Sequence, residues 1–340
     1  MARLVTFGEM MGRLNPHGYL RIAQAREFEL SFAGGEINVA VAVANFGGEA
    51  AFVTKLPKND LTVNAIRTLR GYGVDLTNLV YGGDRLGMYY VERGASQRPS
   101  KVIYDRKYSA ISMAKREDFD WKKILDGASW FHFTGITPSL SDELPLICED
   151  ALKECKARGI TVSCDLNYRK NLWSSERAGE VMEKLMPYVD VCLANEEDAE
   201  KVFGIKADNS DLLGGKLSKE SYEIVAKKLA DKFGFDKLAI TLRGSLSASD
   251  NTWAGILYDG TKVYKSKEYK IHLVDRVGGG DSFGGGLVYA LMSGYEPQKA
   301  IEFAVATSCL KQATEYDFSI SSLDEVNKLV NGDGSGRVQR

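Results

Sequence analysis

Asp275-Arg276-Val277-Gly278-Gly279-Gly280-Asp281-Ser282-Phe283 is the stretch whose reading decides how this chain folds. Three glycines end at an acid, and an apolar run at helical spacing follows at once (Phe283, Leu287, Val288, Ala290, Leu291, Met292). Glycine lets the backbone turn its N–H groups toward a ligand, and the start of a helix adds the positive end of a dipole. The combination predicts an anion site with a carboxylate beside it that can act as a base. Phosphoryl transfer is the chemistry that needs both in one place. Asp281 reads equally as the N-cap of the helix, and the two roles are compatible.

Outward from this loop, strand-like apolar runs alternate with helical patterns. Leu4–Phe7, Ala51–Thr54, Trp130–Phe133, Ile160–Cys164, Val189–Leu193 and Leu238–Leu242 are the strand candidates. Helices are expected at about 62–71, 142–157, 175–186, 196–203 and 218–233. Ile37–Phe46 alternates strictly, as a strand would, but its alanines and the Gly47-Gly48 stop favour a buried helix. Such β–α alternation predicts a mainly parallel sheet with helices on both faces. Residues 12–33 and 87–108 break the pattern, with strand signals in Glu27–Phe32 and Met88–Glu92 and no helix between them. They are expected to pair as a small antiparallel sheet with an exposed apolar face, acting as a lid, a dimer contact or both.

Composition narrows the function classes. The chain has 340 residues, enough for one large α/β domain with or without a small appendage. Lys and Arg total 44 against 46 for Asp and Glu, with no basic tract, which argues against nucleic acid as a partner. The five cysteines show no metal-ligand spacing, and Cys164 and Cys192 sit in apolar runs where a buried small hydrophobe is the better reading. Only three histidines exist, none with a spacing partner, so zinc enzymes and serine hydrolases are poorly supported. His132, inside an apolar strand, reads as structural. No apolar run is long enough to cross a bilayer, the N-terminus lacks a signal-like core, and a cytoplasmic location is expected.

Ligands of an open parallel sheet collect beyond the carboxyl ends of its strands. Five polar clusters fall at such places: Gly34–Asn38, Asp165–Arg169, Asn195–Asp198, Thr241–Ser245 and Gly278–Asp281. One polar strand end is ordinary, but five around one sheet edge define a candidate site.

This constellation resembles the ribokinase-like (PfkB) family of carbohydrate kinases, from about residue 3 to 330. The N-terminal signature is matched by Gly34-Gly35-Glu36-Ile37-Asn38-Val39-Ala40 with Phe46-Gly47, and the C-terminal one by Asp275–Asp281. Within the family, three features look like 2-keto-3-deoxygluconate kinases. They are Asp165–Arg169 with Leu172-Trp173, Thr241–Arg243 with Ser247–Ser249, and Tyr104 with Arg106 and Ser109-Ala110. The resemblance implies a three-layer α/β/α sandwich with a mainly parallel central sheet and a small antiparallel β lid. Residues 1–11, 34–86 and 109–330 would form the ATP-binding catalytic domain and 12–33 and 87–108 the lid. Residues 331–340 would be a disordered tail. A homo-oligomer joined through the lid is expected.

The same resemblance implies roles. Asp281 would take the proton of a substrate hydroxyl as it attacks the γ-phosphorus of ATP, with a low pKa set by its place at a helix start. The N–H groups of Gly278, Gly279, Gly280 and Asp281 would hold the transferring group, each such donor being worth roughly 3 kcal/mol. Asn195 and Asp198 match an Asn-x-x-Glu motif that organises Mg2+ through water, with aspartate in the glutamate's place and Glu196 or Glu197 as possible helpers; a capped helix start is the alternative. Arg106 and Arg169 suit a substrate carboxylate, which a guanidinium binds through paired hydrogen bonds, although Arg169 could instead meet ATP phosphates. Gly35, Asn38, Tyr89 and Tyr104 complete the substrate contacts, and Arg243, Gly244 and Ser308 lie on the nucleotide side. Four departures stand out: Gly279 in the middle of the usual Gly-Ala-Gly-Asp, and Arg276 for the common threonine, which bears on any monovalent-cation site. A glycine is missing in Lys55–Thr62, and Asp105 replaces a tyrosine. The activity implied is phosphorylation of 2-keto-3-deoxy-D-gluconate at its terminal C6 hydroxyl. Alternatives are a kinase for fructose, 2-keto-3-deoxygalactonate or another sugar acid, and a non-catalytic sugar or nucleotide sensor.

Overall fold

The computed structural model describes residues 2–195, 197–205 and 219–334. Its centre is a nine-stranded sheet. Five parallel pairings join Lys237–Ser245, Val191–Ala194, Thr161–Asp165, Trp130–Thr134, Arg3–Phe7 and Glu49–Val53 in that spatial order. Residues of alternate parity point to opposite faces, as the pleat requires. Val5, Phe7, Phe131, Phe133, Val162 and Cys164 enter one core with the helices Leu144–Arg158 and Ser175–Leu185. Leu4, Phe52, Trp130 and Leu193 enter the other with Gly35–Asn45, Gly279–Met292 and Pro297–Gln312. The three-layer sandwich is therefore present as expected.

The alternating run after Gly35 is a helix, Gly35–Asn45, with every residue from Glu36 to Val43 buried. A helix enclosed all round has no polar stripe, which is why its pattern imitates a strand. His132 is fully buried, its Nδ1 2.8 Å from Ser163 Oγ, and burial pushes its imidazole down to about 3, consistent with a structural role.

Two expectations need correction. The lid is a four-stranded sheet in the order Glu29–Ala33, Met11–Asn15, Gly87–Glu92, Lys101–Asp105. Its outer pairings are antiparallel, but the central one, Met11–Asn15 with Gly87–Glu92, is parallel. Both excursions leave the main body in the same direction, so their first strands share a polarity. The second correction concerns Thr241–Ser245, expected beyond a strand end. The strand continues to Ser245 because Asp250–Tyr258 pairs with it antiparallel along its length, and Val263–Lys265 and Tyr269–His272 extend that edge. In the C-terminal tail, residues 335–340 lie outside the described residues, as do Glu196 and the first residue of the helix expected from 218.

Candidate active site

A cleft of about 770 Å³ lies between the lid sheet and the carboxyl ends of the parallel strands. That is within the size range of small-molecule sites. Along the long strand Lys237–Ser245, Thr241, Arg243 and Ser245 share the cleft face. Gly244 points the other way, where a Cβ would stand 2.4 Å from Thr252 Oγ1. Of the two residues expected on the nucleotide side, Arg243 lines the cleft and Gly244 does not.

The glycine loop opens the helix Gly279–Met292 as predicted. Gly278 has φ 80°, and a Cβ there would lie 2.3 Å from the Asp317 carbonyl oxygen, so only glycine fits. A Cβ on Gly280 would meet nothing within 4 Å, which leaves that backbone open to the cleft. Gly279 donates its N–H to the Arg276 carbonyl at 3.3 Å. The N–H groups of Gly278, Gly280 and Asp281 have no acceptor among the described residues, as at a helix start awaiting an anion. The expected four-donor cradle thus reduces to three. Ser308 is buried behind the loop and donates to the Gly279 carbonyl at 2.6 Å, so it supports the loop instead of lining the cleft.

Asp281 is held from the neighbouring helix: Asn38 Nδ2 donates to its Oδ2 at 2.6 Å, and Asn38 Oδ1 accepts from Gly34 N–H at 3.3 Å. Gly34 permits this close approach, since a Cβ there would lie 2.0 Å from the Glu9 carbonyl oxygen. Asn38 therefore positions the Asp281 carboxylate. Gly35 is adjacent, a Cβ on it falling 3.9 Å from Asp281 Oδ1. Burial pushes the Asp281 carboxyl up to about 6, opposed by Asn38 and by the cations Arg169 and Lys311. This overturns the low value expected from the helix start alone.

Acids gather around it. Glu36 Oε1 accepts from Thr134 N–H, Thr134 Oγ1 and Thr137 Oγ1 at 3.1, 2.7 and 2.6 Å, yet complete burial still pushes its carboxyl up to about 7. Asp165 is raised well above the carboxylate range by burial and by the charges of Asp198 and Asp281. Asp198 is raised to about 6 by burial. Its oxygens accept from the N–H groups of Tyr168 and Asn195 at 3.2 and 3.1 Å, while Asn195 Oδ1 accepts from Glu197 and Asp198 N–H. The capped helix start is thus realised, and both side chains border the cleft. Among the described residues no three acids, histidines or cysteines form a direct metal-ligand set. Neighbouring buried carboxylates that raise one another do fit a hydrated cation carried in on a ligand's phosphates.

The cations differ in their freedom. Arg106, expected to grip a carboxylate, already has its Nε 2.7 Å from Glu9 Oε2 and an Nη on the same oxygen, with Ser109 Oγ on the other. Half its fork is taken, and its guanidinium lies 5.5 Å from the Tyr104 ring centroid. Tyr89 also lines the cleft, stacked on Tyr104 at 5.9 Å, but its hydroxyl donates to Asp317 Oδ2 at 2.9 Å. Arg169 borders the cleft, its guanidinium makes no hydrogen bond or ion pair within the described residues, and it is close enough to favour ionised Asp165 and Asp281. Arg243 and Arg276 also lack acidic partners among the described residues, and Arg276 is held below its usual value by burial and by Arg243. Two unpaired guanidiniums that repel each other make a site for a polyanion.

Glu9, Arg13, Lys311 and Asp317 escaped sequence reasoning, as did any role for Glu36. The available signals were a lysine ending the apolar run Phe303–Leu310 and an arginine at an inward position of a lid strand.

A helix-start anion cradle, a carboxylate base and paired arginines across a lidded cleft are the equipment of a phosphoryl-transfer enzyme acting on an alcohol. Comparison with known proteins agrees: residues 1–317 match the pfkB family carbohydrate kinase model. A 2-dehydro-3-deoxygalactonokinase of Haloferax volcanii is 35% identical over 98% of each chain. A 2-dehydro-3-deoxygluconokinase of Thermoproteus tenax is 27% identical over 91% of this chain and 88% of its own. The solved 2-dehydro-3-deoxygluconokinase of Thermotoga maritima is 51% identical, covers 97% of this chain and 98% of its own, and superposes with a TM-score of 0.94. The chain belongs to the PfkB family of carbohydrate kinases, and it has the family's fold.

Proposed function

We propose that this kinase transfers the γ-phosphoryl group of ATP to the terminal C6 hydroxyl of 2-keto-3-deoxy-D-gluconate. The observation that carries this reading is Arg169, a guanidinium bordering the cleft near Asp281 with no carboxylate of its own. A neutral sugar leaves it unpaired, whereas a sugar acid supplies the missing partner through two hydrogen bonds. Arg106 assists with the edge of its fork that Glu9 leaves open, and Tyr104 walls the same side. Gly35 offers close backbone approach to the substrate.

Asp281, ionised, accepts the hydroxyl proton while Asn38 keeps its other orientations closed. The N–H groups of Gly278, Gly280 and Asp281 face the transferring group and take up its charge, and Arg243 and Arg276 bind the remaining phosphates. Mg2+, when bound, neutralises phosphate charge, and Asn195, Asp198 and Asp165 are the side chains suited to hold its water shell. The outward lid face presents Phe28, Leu30, Tyr90 and Ile103, and Lys101–Asp105 is an exposed edge. We read this face as the seat of a second copy.

The C4 epimer, 2-keto-3-deoxygalactonate, is a second substrate reading, favoured by the 35% identity to the Haloferax volcanii kinase. A phosphorylation panel of both acids and fructose separates the readings. Arg169→Ala is expected to raise KM for a sugar acid about 100-fold and to leave fructose nearly unchanged. Preference of the wild type for fructose, or an unaltered KM for the acids in the variant, sinks the carboxylate assignment.

A further inference from the structure

Behind the glycine loop lies a buried cluster of four charges, of which Asp317 reaches the edge of the cleft. Arg13 reaches from the lid strand, with one Nη on Asp275 Oδ2 and the other 2.6 Å from Asp317 Oδ1. Lys311 comes from the last turn of the helix Pro297–Gln312. Arg13 and Lys311 are both 0% exposed, and Asp275 and Asp317 are 4% exposed. Two cations face two carboxylates, so the cluster is neutral. The Lys311 ammonium does not take a carboxylate oxygen. It donates to the backbone carbonyls of Asp275, at 3.1 Å, and of Val277.

Burying an ammonium is expensive unless it is paired and hydrogen-bonded, and here the bonds fall on the backbone of the loop. The geometry of the peptide unit shows what this one does. In a trans peptide the C=O and the following N–H point in opposite directions. Drawing the Val277 carbonyl toward Lys311 therefore aims the Gly278 N–H away from it, into the cleft. Ser308 acts in the same way on the next link but one, since its bond to the Gly279 carbonyl orients the Gly280 N–H. Two donors of the anion cradle are set by bonds made on its hidden side.

A cation bound by backbone carbonyls is also how proteins hold potassium, which resembles ammonium in size and in its preference for carbonyl oxygen. A monovalent ion was one expectation for the Asp275 loop, and the residues present do not fit it. Two carbonyls that would bind it already face Lys311, whose ammonium would repel a further cation placed beside it.

We propose that Lys311 is a positioning residue whose ammonium stands in for a bound monovalent cation behind the glycine loop, so that this kinase works without potassium. Removing the side chain leaves two bare carbonyls and a net negative charge, which is a vacancy for such an ion. The proposal thus predicts that cation dependence can be created by one substitution.

The test has two arms. In the first, the wild-type enzyme is assayed with ATP and its best substrate in sodium, tetramethylammonium or potassium buffers of equal ionic strength. Rates within about two-fold are expected, and activation by potassium of about ten-fold or more overturns the proposal. In the second, Lys311→Ala is expected to lose about 100-fold in kcat with little change in KM for ATP. Potassium, ammonium or methylammonium, but not tetramethylammonium, should restore at least a tenth of the loss. Thermal melting without any substrate gives an independent reading: the variant's melting temperature rises with added potassium or ammonium, and the wild type's does not. A folded variant that turns over at the wild-type rate, or one that no cation stabilises or rescues, also overturns it. Should the variant fail to fold, the wild-type cation series still decides.

Discussion

Asp281 stands under opposing influences, and their balance sets when it can work. Its place at a helix start and the hydrogen bond from Asn38 favour the ionised carboxylate, while enclosure opposes it and wins, leaving a value of about 6. A base must be ionised, so activity should be lost as pH falls. For the free enzyme, kcat/KM is expected to climb with unit slope up to about pH 6 and then level off. A profile flat down to pH 5 would remove Asp281 from the base role. Asp281→Asn, which keeps the shape and the bond geometry but cannot take a proton, should lower kcat at least about 1,000-fold with ATP affinity retained. The acid itself was legible from Gly-Gly-Gly-Asp; its basicity was not. Helix position can be read along the chain, whereas enclosure depends on Glu36, Asp165 and the lid, which only the folded molecule brings together. Arg106 shows the same limit. Its residue type suited a carboxylate, but the carboxylate it found first is Glu9, 97 positions away.

At the scale of elements, the glycine loop separates two uses of glycine that look alike in sequence. Gly278 is required by its backbone and by the Asp317 carbonyl, so Gly278→Ala should unsettle both the loop and the fold, lowering the melting temperature and cutting kcat about 100-fold or more. Gly280 sits in the first turn of a helix with open space beside it. Gly280→Ala should therefore keep or slightly raise stability, by up to about 1 kcal/mol, while the added methyl obstructs the cleft and slows turnover. Parallel losses of stability in the two variants would contradict this division. Most helices and parallel strands could be placed beforehand because each carries its own periodicity. The antiparallel edge after Ser245 could not, since the hairpin to Asp250–Tyr258 carries the strand on through Thr241–Ser245, whose polar residues read as a strand end. Nor could the parallel centre of the lid, where the signal specifies strands but not their relative direction.

On the scale of the whole molecule, the lid has two faces with different tasks. Tyr89, Tyr104 and Arg106 look into the cleft, and the opposite face carries the apolar stripe of Phe28, Leu30, Tyr90 and Ile103. If a second copy covers that stripe, Ile103→Glu should halve the mass seen by light scattering at micromolar concentration, with each protomer still folded. An unchanged mass would place the contact elsewhere or show that none exists. The Arg13–Asp317 ion pair has a different kind of consequence. Its partners are 304 residues apart, and the pair fastens the first lid strand to the turn that closes on Gly278. During synthesis, Arg13 emerges 262 residues before Asp275 and 304 before Asp317. Until then the emerging chain carries that guanidinium without the carboxylates that pair with it in the folded molecule. Domains can otherwise begin to fold from the N-terminal side as they emerge. Here the ion pair that joins the lid to the turn beneath the anion cradle can form only once Asp317 has emerged.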